Sequence, residues 1–270
     1  MRTYFFGDIH GNLPALEACL DHMKGQEADA VYCLGDIAGW LPFGDRTYAR
    51  LRSEGFPTVA GNHDLLIAGA FTDHPHLIDR MQATAYNAGL LFPTPGAIDY
   101  LLGLPLAIET DDFTVVHHSP FSLPAGGEAP TIASFGYLDD AALAEAVPAW
   151  RQYPRRLIVS GHDHVPAVFE LPDSGDVKIH GLGRGETSLT VKLERNSRYW
   201  VKAGSVGGPY RDATPLANSV LYDSDARTVT LFRIAFDTSG LFEELSAHRF
   251  CRNLPTIKKY IETLRTSVAG

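Results

Sequence analysis

The 270-residue chain reads as an α/β protein in which two β-sheets pack together and helices cover the outside. Three observations predict this. Residues 2–60 alternate short apolar runs with helical periodicity, the pattern of βαβ units. Residues 165–235 hold strand-like pieces without a strong helix, which calls for antiparallel sheet. Residues 240–266 return to a helical pattern. Apolar residues make up 45% of the chain, enough for a sizeable core. No linker, low-complexity segment or fixed-period repeat divides residues 1–270, so one domain is expected.

Arg2–Phe6 is short, aromatic and stops at Gly7, as a buried strand does. Asp8-Ile9-His10-Gly11-Asn12 follows as a loop. Asn12 can cap a helix, and Pro14 is tolerated in its first turn. Leu13, Leu16, Cys19, Leu20 and Met23 then recur at helical spacing. Residues 30–34 form the second strand and end at Gly35-Asp36. A helix near residues 45–53 and a strand over 58–60 lead to Gly61-Asn62-His63-Asp64. Residues 64–103 look helical, with Met81, Ala85, Ala88 and Leu91 on one face and Thr94-Pro95 as cap and first-turn proline. Strands over 106–110 and 113–117 turn at Asp111-Asp112. Residues 119–136 are a loop rich in Pro, Gly and Ser, and Asp139 caps a helix to about Val147. Residues 156–159 form a strand ending in Ser160-Gly161-His162-Asp163-His164. Strands follow over 167–171, 187–193, 199–202, 218–222 and Thr228–Ile234, with a hairpin loop at 223–226.

The formal net charge of −9 argues against a protein that binds a nucleic-acid backbone, which presents a basic face. It leaves phosphate chemistry open, because bound metal ions supply positive charge locally. Cys19, Cys33 and Cys251 are odd in number and form no CxxC, so they read as buried thiols in a reducing compartment. No run is long enough to span a membrane and no long apolar signal region is seen; a cytoplasmic protein is expected.

The chemistry gathers at the strand ends. Loops at the carboxyl ends of strands in βαβ units lie on one edge of the sheet. Asp8, His10, Asp36, Asn62, His63, His117 or His118, His162 and His164 are all delivered there. Taken singly, each has a plain reading: Gly61-Asn62 as a tight turn, Asp36 as a loop carboxylate, His162 and His164 as a solvated pair. Five strand ends with metal-competent groups are hard to reach by chance. Asp, Asn and His without Cys suit a divalent first-row ion, and two clusters sharing a carboxylate make a two-metal site.

Asp8-x-His10-Gly11-Asn12, Gly35-Asp36, Gly61-Asn62-His63-Asp64, His117-x-Ser119-Pro120 and Gly161-His162-x-His164 resemble the ordered motifs of the calcineurin-like metallophosphoesterases. The resemblance spans residues 3 to about 211. It continues in Ala203-Gly204-Ser205-Val206-Gly207-Gly208-Pro209, which is similar to a segment of the bacterial branch that includes YfcE-like phosphodiesterases. It implies a four-layer αββα sandwich of two mixed β-sheets flanked by helices, with two divalent metal ions at the strand ends. By motif, Asp8, His10, Asp36 and His164 hold the first ion; Asp36, Asn62, His117 and His162 hold the second. Manganese is the foremost candidate, with iron, zinc or nickel as alternatives. The resemblance further implies that His63 faces the leaving group and that Asp64 orients its ring. The function implied is hydrolysis of a phosphodiester or small phosphorylated or nucleotide substrate by in-line attack of a metal-bridging hydroxide.

Departures narrow this. Ile37-Ala38-Gly39-Trp40 replaces the Asp-Arg-Gly of protein phosphatases, and Asp64 replaces their Glu, so protein phosphatase activity is an alternative only. Diadenosine-tetraphosphatase activity shares the same site. A non-catalytic scaffold on this fold is the third reading, and the intact ligand set argues against it. His118 stands where relatives have glycine and reads as a solvated loop histidine, with a substrate contact as the alternative. Tyr210 displaces Arg211 by one position, which weakens a phosphate-binding role for Arg211. Trp40 and Phe43 read as core, with a cleft wall as the alternative. His22, His74, His76, His180 and His248 match no motif.

Overall fold

Strand β1 (Arg2–Phe6) shows in four residues why the chain forms layers. Its side chains alternate faces. Tyr4 and Phe6 enter one hydrophobic cluster with Leu16 and Leu20 of helix α1 (Leu13–Gly25). Phe5 enters another, between sheets, with Val115, Val159, Val220 and Leu231. A strand buried on both faces needs a helix on one side and a second sheet on the other. The computed structural model describes residues 1–71, 77–124, 128–211 and 214–268, and it has this arrangement.

The first sheet has the order β2-β1-β10-β11-β8, with β2 Ala30–Cys33, β8 Ser188–Lys192, β10 Ala217–Asp223 and β11 Thr228–Ile234. β1 pairs parallel with β2 and antiparallel with β10, so strands from the two ends of the chain share one sheet. The second sheet has the order β3-β4-β5-β9-β6-β7. Its strands are β3 Ala107–Glu109, β4 Phe113–Val116, β5 Leu157–Ser160, β6 Pro166–Pro172, β7 Lys178–Gly181 and β9 Ser197–Ala203. β4, β5 and β9 run parallel at its centre, with antiparallel partners outside them. Helix α6 (Asp140–Gln152) covers the outer face, where Trp150 meets Trp200 at 5.9 Å. Two mixed sheets with flanking helices are the four layers expected.

Several boundaries differ from the sequence reading. Residues 58–60 are too short for a strand: Thr58 makes one parallel bridge to Cys33 before the chain turns at Gly61. The helix expected near residues 45–53 is α2 (Gly44–Glu54), and the described part of residues 64–103 divides into α3 (Asn62–Ile67), α4 (Ile78–Leu91) and α5 (Ala97–Leu102). Gly96, in the left-handed conformation, caps α5 in place of Thr94. On α4, Met81 and Ala85 are exposed, and the buried ridge is Ala83, Asn87 and Leu91. β7 is a short edge strand whose Lys178 and Ile179 are both exposed, so it carries no apolar alternation. α6 runs past Val147 because Trp150 anchors its last turn. The closing helix is two helices, α7 (Thr238–Ala247) and α8 (Pro255–Val268), with a 3-10 turn between them. Pro255 lacks an N–H and belongs in a first turn, not an interior. These helices pack with Trp40, Leu41 and Phe43, beside the loop that follows Asp36.

Cys19, Cys33 and Cys251 are free and buried. Among the described residues no helix is long and apolar enough to cross a membrane. His74 and His76, and residues 125–127 of the 119–136 loop, lie outside the described residues.

Candidate metal centre

All seven predicted ligands meet at one edge of the two sheets. β1 delivers Asp8 and His10, β2 delivers Asp36, α3 begins at Asn62, β4 delivers His117, and β5 delivers His162 and His164. All are buried. Around Asp8, His164 Nε2 lies 3.2 Å from Oδ1 and His10 Nε2 lies 3.8 Å from it. His10 Nε2 is 3.4 Å from Asp36 Oδ2, and His117 Nε2 is 3.3 Å from the same oxygen. Asn62 Oδ1 lies 3.1 Å from His117 Nε2 and 2.9 Å from His162 Nδ1. Asp36 thus stands between the two groups of donors.

The backbone is strained here. Asp8, His10, Asp36, His162 and His164 have φ between 51° and 69°, five of the seven described non-glycine residues with positive φ. Such conformations cost about 1–3 kcal/mol each and persist only where their surroundings hold them. The holding bonds are visible. The N–H groups of Ile9 and His10 both donate to the Asp36 carbonyl. Val206 donates to the Gly7 carbonyl, and Gly207 and the Ser205 hydroxyl donate to the Asp8 carbonyl. The Gly-Ser-Val-Gly stretch therefore clamps the loop that carries the first two ligands.

The donor set fits a pair of divalent ions. Nδ1 of His117 is 2.6 Å from the Leu34 carbonyl, and Nδ1 of His164 is 2.8 Å from the Pro209 carbonyl. Those nitrogens must carry hydrogen, which leaves each Nε2 free to bind a proton or a metal. Asp8 Oδ1 is buried with no hydrogen-bond partner among the described residues. Burial alone raises a carboxyl, but His164, His10 and His117 outweigh it and hold Asp8 well below the usual range. Asp36 is lowered too: His117, His63 and His10 outweigh its burial. Burial depresses His117, yet Asp36 and Asp8 carry it up to about 10. A proton on His117 then offsets part of the charge of the two buried carboxylates.

Asp64 does not orient the His63 ring. Its Oδ2 accepts from the N–H groups of Asp36 at 2.7 Å and Gly61 at 3.1 Å, and its Oδ1 accepts from Ile37 at 2.9 Å. Both oxygens are spent on the loop that presents Asp36. Burial and the nearby Asp36 push its carboxyl up to about 7. His63 Nδ1 has no hydrogen-bond partner among the described residues. Its ring is held by His10, edge-on at 4.8 Å, and by Trp40 at 5.2 Å. Burial keeps its pKa well below the ordinary value.

His118 is not a solvated loop residue. It is buried 5.0 Å from the His162 ring, and burial pushes its pKa down to about 3, with Lys202 adding to the effect. Lys202, 2% exposed, pairs with Asp163 beside it. Trp40 and Phe43 are both core, and Trp40 also lines the cleft at the metal centre. Arg211 also lines the cleft. Asn87 and Tyr137 went unnoticed in the sequence. Asn87 Nδ2 donates to the carbonyls of Gly39 and Leu41, and its Oδ1 accepts from Gly44, which ties α4 to the Asp36 loop. Tyr137 stacks on His162 at 5.1 Å. Neither lies in a motif; a polar residue on the buried face of α4 was the sole sign of Asn87.

Residues 1–166 match the model of the calcineurin-like phosphoesterase family. The chain belongs to that family. The calcineurin-like phosphoesterases depend on two metal ions, in keeping with the clustered Asp and His groups here. An uncharacterized protein of Methanocaldococcus jannaschii is 26% identical over 250 residues, 90% of this phosphoesterase and 90% of that protein. The symmetrical bis(5'-nucleosyl)-tetraphosphatase of Actinobacillus succinogenes is 32% identical over 129 residues, 43% of this chain and 44% of that one. Among solved structures, a metallophosphoesterase from Sphaerobacter thermophilus superimposes with a TM-score of 0.74, 25% identity and 98% of each chain covered.

Proposed function

We propose that this phosphoesterase is a cytoplasmic dimetal hydrolase of a phosphodiester or a small phosphorylated or nucleotide substrate. Asp8, His10, Asp36 and His164 hold one ion; Asp36, Asn62, His117 and His162 hold the other. Oxygen and imidazole donors suit manganese foremost, with iron, zinc or nickel as alternatives. The observation that carries this reading is the meeting of seven buried donors from five segments around Asp36. When bound, such a metal pair lowers the pKa of a shared water and clamps the phosphoryl oxygens.

The chain's own residues supply the rest. Asn62 is a neutral ligand, which keeps negative charge away from the phosphate. His63 is held neutral by burial, so it offers an N–H to the departing oxygen and stabilises charge there instead of acting as a strong acid. Asp64 keeps the Asp36 loop in place by accepting from the N–H groups of Asp36 and Ile37, and it ties both to Gly61. Trp40 and Tyr137 wall the cleft.

The test is hydrolysis of bis(4-nitrophenyl) phosphate by manganese-loaded protein. Asp36→Asn abolishes turnover. His63→Ala keeps two ions per chain and slows turnover by about 10²-fold or more. Wild-type rates in both variants would sink the assignment. The stretch shared with the tetraphosphatase supports a nucleotide substrate as a second reading. Turnover of diadenosine tetraphosphate far above that of the artificial diester selects it.

A further inference from the structure

The cleft beside the metal centre encloses about 440 Å³, room for much more than one phosphate. Part of its wall comes from α8, outside the residues that match the family model. Three cations line it: Arg80 of α4, Arg211 beyond β9 and Lys259 of α8. Among the described residues none of the three forms an ion pair, in a chain whose net charge is −9.

These cations are placed by packing. Tyr137, stacked on His162, accepts a hydrogen bond from Arg80 Nη2 at 3.1 Å. The Arg211 guanidinium lies 3.9 Å from the centre of the Tyr137 ring. Among the described residues, Arg80 Nε is buried without a hydrogen-bond partner. The neighbouring Asp79 accepts from the backbone N–H and hydroxyl of Thr256, which ties α4 to the first turn of α8, one turn before Lys259. Tyr260, next to Lys259, donates to the Gly207 carbonyl and accepts from Asn12, both on loops that flank the metal ligands. One tyrosine and two helix ties therefore place these three cations beside the metal centre.

We infer that Arg80, Arg211 and Lys259 form an anion subsite, separate from the metal centre, that takes a second phosphate of the substrate. Cations converging on one cleft favour a dianion there, and guanidinium groups match phosphate geometry. The substrate class is then a phosphate ester carrying another phosphate group some distance from the scissile one. That it is a substrate rests on the phosphoesterase reading; that it binds here does not.

The test uses α,ω-alkane bisphosphonates of two to six carbons and the matching alkyl monophosphonates. Each is titrated by calorimetry into manganese-loaded protein freed of excess metal. At least one bisphosphonate binds about tenfold tighter than its monophosphonate. In Arg211→Gln/Lys259→Gln, whose altered residues are both exposed, that ratio falls about tenfold; Arg80→Gln lowers it independently. If the ratio is the same in wild type and in both variants, or if every bisphosphonate binds no tighter than its monophosphonate, the subsite is wrong. A wild type that hydrolyses no phosphate ester with any metal, yet loses the ratio in the variants, overturns the phosphoesterase reading and leaves the subsite standing.

Discussion

Gly61 opens the Asn-His-Asp stretch, and replacing it by alanine tests the geometry of the whole centre. Its backbone, at φ −87° and ψ 164°, is one any residue adopts. The need for glycine is therefore steric. A Cβ at this position falls 2.1 Å from Asp36 Oδ1 and 2.3 Å from the Asp36 nitrogen. Contacts of roughly 3 Å are the least a carbon tolerates, so the carboxylate or the chain must retreat by about 1 Å. The Asp36 nitrogen is pinned by Asp64, so the displacement falls on the shared ligand and on the start of α3. Overpacking of this kind costs about 1–3 kcal/mol of stability. A shift of about 1 Å at reacting groups costs on the order of 10²-fold in rate. Gly61→Ala should lose bound manganese by elemental analysis, lose diesterase activity to that extent and melt several degrees lower. Gly55→Ala is the control: φ is +70° there, nothing lies within 4 Å, and the expected cost is about 1–2 kcal/mol of stability with metal content intact. Two ions per chain and wild-type turnover in Gly61→Ala would refute the steric reasoning.

Metal loading should release about one proton per chain near pH 7, because His117, raised to about 10 by Asp36 and Asp8, must give up its proton to ligate. Apparent affinity then rises with pH up to that value, which calorimetry in buffers of different ionisation enthalpy detects. Lys202→Met leaves the Asp163 carboxylate without its cation and should cost about 3 kcal/mol in chemical denaturation; adding Asp163→Leu should recover most of it. Tyr260→Phe removes the hydroxyl between Asn12 and the Gly207 carbonyl. A loss of about 1–2 kcal/mol is expected, measured by denaturant midpoint.

The donor residues were legible because metal chemistry restricts residue types, and βαβ connectivity restricts where they stand. Asp8, His10, Asp36, Asn62, His117, His162 and His164 each stand within a few residues of the end of an apolar run, so their convergence needs only local pattern and parallel pairing. The element boundaries that shifted lie where tertiary contacts override local signals. Asn87 sits on the buried ridge of α4 because four bonds to the Asp36 loop and its own helix satisfy its amide. His118 looks solvated by its neighbours in the chain, yet it is buried against His162.

Residue types and their order alone carried two packed sheets under helices, and the resemblance of five short motifs carried the family and the proposed ligands. The partners of those residues had no such signature. That Asp64 braces Asp36 and not His63, and that Trp40 and His10 hold the His63 ring, follow from contacts across 23 to 53 residues. The cleft wall built by α8 lies farther still: Asn12 and Tyr260 are 248 residues apart and 3.1 Å from one another. Periodicity reports which face of an element is buried; it does not report what that face is buried against.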